Sequence, residues 1–396
     1  MTANDPPPSP VAQPGLPEPA AGSVAAPAHA AAPAHAAAPG PAAAPAGTPP
    51  PAAHTPSFWQ AVKLNLIIGV AVLAALVVVG LAVPSLAGVA QPGVFVGAVA
   101  VLVRGRVRDA LLVVAVLAVL YAVAYLVTES PWQSGVLMAL VGVALALSGR
   151  IGWRGTMINV AIFTAAAFIP AHVPTNVPAG SWQGAAEVTL AILVGGAIAI
   201  ALTWVVFRRH LAPTHTPPAA WPDVIVNAVA LFVTLGIGTA VVLAWDRGPT
   251  AAWLMITIVV LAQPSDEVTM RRSAERLLGS LGGCLIAAAA AYLVGASWQS
   301  LVIAIVFFNL AWSYRISHPG VERGHRYWIY AVLWTPAVVL LAVPTGGEVT
   351  LEAAGQRAGL TAAGVVAIVL ATQVTRWAVV RWMSHSDRSS QVAGPC

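Results

Sequence analysis

Charge is scarce in this chain. Only 8% of its 396 residues are Asp, Glu, Lys or Arg, against 58% hydrophobic residues. An ordinary soluble domain is about a quarter charged, so a water-exposed globular fold is excluded. Cysteine is nearly absent too. Cys284 and Cys396 cannot build a disulfide framework, and Cys284 reads as a small packing residue. No glycine-rich phosphate-cradling loop is present, which argues against ATP-driven chemistry within the chain. The triplet His318, Glu322 and His325 in "HPGVERGH" lacks the spacing of a helical zinc site and is broken by proline and glycine. A basic loop accounts for it. No metal and no cofactor is expected, and the chain is not read as an enzyme.

What the chain has in abundance is long apolar runs. A bilayer-spanning helix takes roughly 17–25 apolar residues, and such stretches recur from residue 61 to residue 380. Because lipid leaves backbone groups no partners outside helices or closed barrels, and the runs do not alternate as barrel strands do, the fold class is all-α and polytopic. Twelve spans are placed, at about 61–83, 86–103, 109–127, 133–149, 155–171, 185–207, 224–245, 250–264, 275–295, 299–314, 327–343 and 355–380. The second and eighth are short and carry Pro92 and Pro264 near one end, so broken or strongly packed helices are expected there.

Residues 1–56 are of another kind. The Ala/Pro/His-rich stretch "AAPAHAAAPAHAAAPGPAAAPAG" has almost no large side chains and is expected to form a disordered tail. It lacks the basic start and apolar core of a signal peptide. His29 and His35 read as solvated histidines rather than metal ligands.

With the N-terminus inside, 17 of the 19 Lys and Arg fall on the inner side, leaving only Arg247 and Arg357 outside. This asymmetry places both termini in the cytoplasm and the protein in the inner (plasma) membrane. The net charge of +5 therefore reports topology, and no nucleic-acid partner is expected. Trp132, Trp182, Trp253 and Trp298 fall near outer span ends, where an aromatic belt belongs.

The chain also repeats itself. "AYLVTESPWQS" at 124–134 returns as "AYLVGASWQS" at 291–300, and "RGRVRDALL" at 104–112 matches "RRSAERLL" at 271–278. An even number of spans per repeat makes the halves parallel, so the twelve helices are expected as two six-helix repeats. A pseudo-twofold axis along the membrane normal would relate them. The resulting division is a tail (1–56), a first repeat (57–210), a second repeat (211–383) and a short cytoplasmic C-terminal tail (384–396).

Within the second repeat, "RRSAERLLGSLGGC" at 271–284 places Arg272, Arg276, Gly279, Ser280 and Gly283 on one helix face. Gly279 and Gly283 form a small-xxx-small pair that lets two backbones approach closely, with Ser280 between them. The surrounding segment carries Trp253, then Gln263–Pro264, the basic linker and Arg276, Gly279, Ser280 and Gly283. It is followed by "RYWIYAVLWTPAVVLLA" with Tyr327, Tyr330 and Thr335. In these features residues 224–380 resemble the fusaric-acid-resistance-like (FUSC) family of integral membrane transporters. That family includes bacterial aromatic-acid exporters and is related to plant aluminium-activated malate transporters. The first half resembles it less: after Arg108 comes "DALLVVAV", without the glycines.

The resemblance implies transport, most simply export, of small organic anions such as aromatic carboxylates, driven by a proton or electrochemical gradient. A passive anion channel and a non-transporting scaffold with an interaction tail are the alternatives. An anion carrier needs cations near its pathway. Arg276 is the first candidate, with Arg272 one turn before it and Arg108 at nearly the matching place in the first repeat. Interface arginines that only fix orientation are the competing account. Asp109 and Glu275 stand beside these arginines, to neutralise them or to carry a coupling proton. Glu187 and Arg357, each in the first turn of the last helix of its half, are candidates for an external gate pair. Asn159, Asn227 and Asn309 are expected to bond between helices. The expected partners are the bilayer and a small organic anion, with self-association left open.

Overall fold

Apolar backbone that must satisfy itself coils into helices, and among the described residues there are twelve α-helices. The structure is a computed structural model and describes residues 57–82, 87–168, 178, 180–208, 217–245, 251–262, 266–294, 297–318, 326–342 and 347–392. The tail histidines, Arg247, Gln263–Pro264, Glu322, His325 and Cys396 lie outside the described residues.

The first six helices are α1 (Phe58–Ala82), α2 (Ala87–Arg104), α3 (Val107–Val127), α4 (Pro131–Ser148), α5 (Arg154–Ala166) and α6 (Trp182–Phe207). The second six are α7 (Trp221–Trp245), α8 (Ala251–Leu261), α9 (Asp266–Leu293), α10 (Ser297–Ser317), α11 (Tyr327–Ala342) and α12 (Gly347–Val392). A helix thus lies in each of the twelve apolar runs. Eight of them are long and apolar enough to cross a membrane unaided: α1, α3, α4, α6, α7, α9, α10 and α12. At 1.5 Å per residue α8 reaches only about 16 Å, well short of a hydrocarbon core. It is instead buried on nearly every side, as expected for that segment. α2 accommodates Pro92 without breaking.

Helix ends follow local chemistry. Ser130 and Ser181 cap α4 and α6 by accepting the N–H groups of Gln133 (3.4 Å) and Gly184 (3.1 Å). Gly105, at φ 66°, makes the sharp junction between α2 and α3, which a side chain would strain. α12 departs from expectation. It starts at Gly347 rather than 355 and runs to Val392, so much of the expected C-terminal tail is helical.

In the first half α6 packs on α2 and α3, and α5 packs on α4. In the second, α12 packs on α8 and α9, and α11 on α9 and α10. The halves meet through α4 against α7, α1 against α10 and α5 against α8. The largest apolar core joins α2 to α8, and a smaller one fills α9, α10, α11 and α12. Trp132, Trp182 and Trp298 point outward among exposed Leu, Val and Ile, in keeping with an aromatic belt. Trp253 does not: it is 3% exposed, inside the bundle.

Candidate functional site: a buried arginine cluster

α9 presses against α11 because it has glycine where they cross. A Cβ on Gly279 would stand 2.5 Å from the Ala331 Cβ and 2.7 Å from the Trp328 carbonyl oxygen. On Gly283 it would stand 2.6 Å from the Thr335 Cβ. No side chain fits at those separations, so the crossing distance is set by the sequence. This contact turns the neighbouring face of α9 inward. Along it, one turn apart, lie Arg272, Arg276, Ser280 and Cys284, all buried.

Arg276 is 1% exposed, and its Nη1 donates to the Tyr327 hydroxyl on α11 at 3.1 Å. Arg272 lies over the ring of the same tyrosine, its Cζ 4.5 Å from the ring centre. From α12 comes Arg357, completely buried, its Cζ 5.2 Å above the indole of Trp253 on α8. Arg276 and Arg357 are close enough for their charges to repel, and the Cys284 sulfur is near both. Arg154, the first residue of α5, closes the group from the other half. It is buried, donates to the Ala262 carbonyl after α8 and lies within Coulombic reach of Arg272.

Four guanidiniums from three helices thus collect inside the bundle. Arginine keeps its charge in proteins, so burial cannot be relieved by deprotonation. Among the described residues neither Arg276 nor Arg357 forms an ion pair. Nε and Nη2 of Arg276, and all three nitrogens of Arg357, have no hydrogen-bond partner. Among the described residues the Ser280 and Thr361 hydroxyls, one turn after Arg276 and Arg357, are unpartnered as well. Elsewhere Thr164, Thr234, Thr257, Thr335 and Thr372 return their hydroxyls to the carbonyl four residues back. The cluster is rich in donors and poor in acceptors, and its chemical complement is an anion.

The other predicted residues fall elsewhere. Arg108 is exposed at the start of α3, apart from the cluster. Asp109 pairs with Arg104 at 3.4 Å. Arg104 also stacks on Trp153, its Cζ 4.4 Å from the ring centre, and reaches the Gly152 carbonyl. Glu275 pairs with Arg271 at 3.0 Å and accepts the Trp328 N–H at 3.3 Å, tying α9 to the first turn of α11. The expected Glu187–Arg357 pair is not formed. Glu187 accepts from Gln183 in its own helix at 3.1 Å. Arg357 lies three turns into α12, because that helix begins earlier than expected. Asn159 and Asn227 donate to Gly155 and Asp223 of their own helices, since a carbonyl one turn back lies within reach of a short amide. The interhelical amide bond runs from Asn65 on α1 to the Asn309 carbonyl at 3.2 Å, and Asn65 carries no signal in the sequence that singles it out. The sequence alone makes Trp253 a belt residue and Arg154 a marker of topology, yet both belong to the cluster. Among the described residues no group of three metal-ligating side chains is present.

Residues 230–371 match the family described as fusaric acid resistance protein-like. They run from α7 into α12 and include Trp253, all of α9, Tyr327 and Arg357. No curated protein and no solved structure matches the chain.

Proposed function

We propose that this chain, whose residues 230–371 are a fusaric acid resistance protein-like segment, is a multi-pass membrane transporter. On this reading it exports small organic anions, aromatic carboxylates among them, driven by a proton or electrochemical gradient. The observation that carries the reading is the sealed arginine cluster. Arg276 and Arg357 offer unpartnered donors in a place where lipid and protein supply no counter-charge among the described residues. Uncompensated buried charge is costly, so it is retained where a ligand completes it. Complete enclosure favours a carrier, which seals its site in at least one state, over an open channel.

Organisation into two parallel repeats is part of the same reading. A shift of six helices carries α3–α6 onto α9–α12, α4–α5 onto α10–α11, and α1–α2 onto α7–α8, each a packed pair. The cross-contact α4–α7 likewise goes to α10–α1. Such recurrence supports a pseudo-twofold axis along the membrane normal, while the Lys/Arg asymmetry of the sequence supports both termini inside and the plasma membrane as its place.

The test is flux of a labelled aromatic carboxylate in oriented vesicles, with and without a proton gradient. Arg276→Ala is expected to abolish flux while the protein still inserts. Unchanged flux in this variant would refute the assignment.

A further inference from the structure

Two polar stripes meet where α9 packs on α12. On α9, Arg276 is succeeded one turn later by Ser280 and another turn later by Cys284. On α12, Arg357 is succeeded one turn later by Thr361. Arg276 is 1% exposed, and Arg357, Ser280 and Thr361 are fully buried. Ala287, Ala291 and Ala354 join Cys284 in the apolar wall around them. Two guanidiniums that repel each other are therefore enclosed with two hydroxyls, and among the described residues all four present unpartnered donor atoms.

We propose that Arg276, Ser280, Arg357 and Thr361 form a site for one small inorganic anion, a halide such as chloride. The halide is held while the bundle is closed and given up when the carboxylate of the transported anion takes its place. The binding half of this proposal stands on the cluster alone, and the exchange half rests on the transport reading above. The halide follows from enclosure and donor type. All four side chains are buried, which suits a single atom over an aryl carboxylate. Guanidinium N–H and hydroxyl groups from two packed helices suit a spherical acceptor without fixed lone-pair directions. A monovalent halide also leaves its water at less cost than a sulfate or phosphate dianion. Once bound, it offsets the repulsion between the arginines and gives both hydroxyls an acceptor.

The experiment uses the full chain purified in detergent, with thermal unfolding followed as chloride replaces gluconate at constant ionic strength. The midpoint is expected to rise by about 2–4 °C and to saturate with chloride, as ligand binding to the folded state requires. Arg357→Gln is expected to lose the response. The double variant Ser280→Ala/Thr361→Val keeps both charges and is expected to raise the half-saturating chloride about tenfold. If Arg357→Gln does not fold, the double variant decides. A midpoint indifferent to the exchange of chloride for gluconate overturns the proposal, as does a chloride response unchanged in the double variant. Benzoate added at fixed chloride is expected to raise the half-saturating chloride, and absence of competition overturns the exchange half alone. Failure of the transport reading shows separately, as absent carboxylate flux in vesicles where chloride still stabilises the protein.

Discussion

Arg276 and Arg108 occupy similar places in the two halves of the sequence, yet one is sealed in the bundle and the other meets the surroundings. The difference lies in the residues after each. Gly279 and Gly283 draw α9 onto α11 and carry Arg276 inward with it, whereas "DALLVVAV" after Arg108 has no glycine of its own and sets Val114 against Gly196 of α6 instead. Arg272 and Arg276 are legible because three- and four-residue spacing is written in the chain. Arg357 is not, because its depth depends on where α12 begins, and helix ends are weakly encoded without a cap or a proline. Trp253 misleads for a related reason. A tryptophan near the end of an apolar run looks like a belt residue until its neighbour in space, here Arg357, is known. Tyr327 offers the sharpest test at this scale. Tyr327→Phe keeps the ring under Arg272 and removes the hydroxyl that accepts from Arg276. A buried charged donor loses its partner, and thermal unfolding is expected to show a loss of about 1.5–3 kcal/mol. Anion flux should weaken in the same variant.

Every apolar run holds a helix, because continuous hydrophobicity leaves the backbone little choice. What the runs do not encode is how each helix meets its neighbours. α8, with 11 residues, is held by α7, α12 and α5, and nothing in its own composition says so. The glycine pair of α9 is the exception, since a small-residue face specifies a close crossing in advance. It also supplies a prediction with an internal control. In Gly283→Ala the new methyl would meet the Thr335 Cβ at 2.6 Å, forcing α9 and α11 apart. Unfolding in detergent should report about 1–3 kcal/mol of destabilisation. In Gly282→Ala the nearest atom, a methyl of Val332, is 3.5 Å away, and stability is expected to hold or rise slightly. Equal losses in both variants would sink this account of the crossing. In the first half the close glycine approaches converge on α6, against both α2 and α3. A Cβ on Gly97 would lie 2.8 Å from the Gly196 carbonyl oxygen, and one on Gly93 would overlap the Ile192 backbone. The repeated sequence therefore does not imply a repeated seam.

For the molecule as a whole, charge asymmetry predicts topology without reference to the packing. A reporter fused near residue 345 is expected to behave as external, and one at either terminus as cytoplasmic. Deleting residues 1–56 is expected to leave anion flux intact, because every residue of the arginine cluster lies beyond them. Loss of flux on that deletion would favour the scaffold reading. Composition makes the membrane legible, but the inward concentration of arginine stays hidden. The same residue type marks cytoplasmic loops and buried sites, and only burial separates the two. Arg154 is of the buried kind. It stands at the start of α5, in the first half, and lies near enough to Arg272 on α9, in the second, for their charges to repel. Like charges set across the boundary between the two halves behave as a compressed spring. An anion seated beside them is the clasp that keeps it shut: on the transport reading the halide would hold the bundle closed, and its exchange for the cargo would let it open.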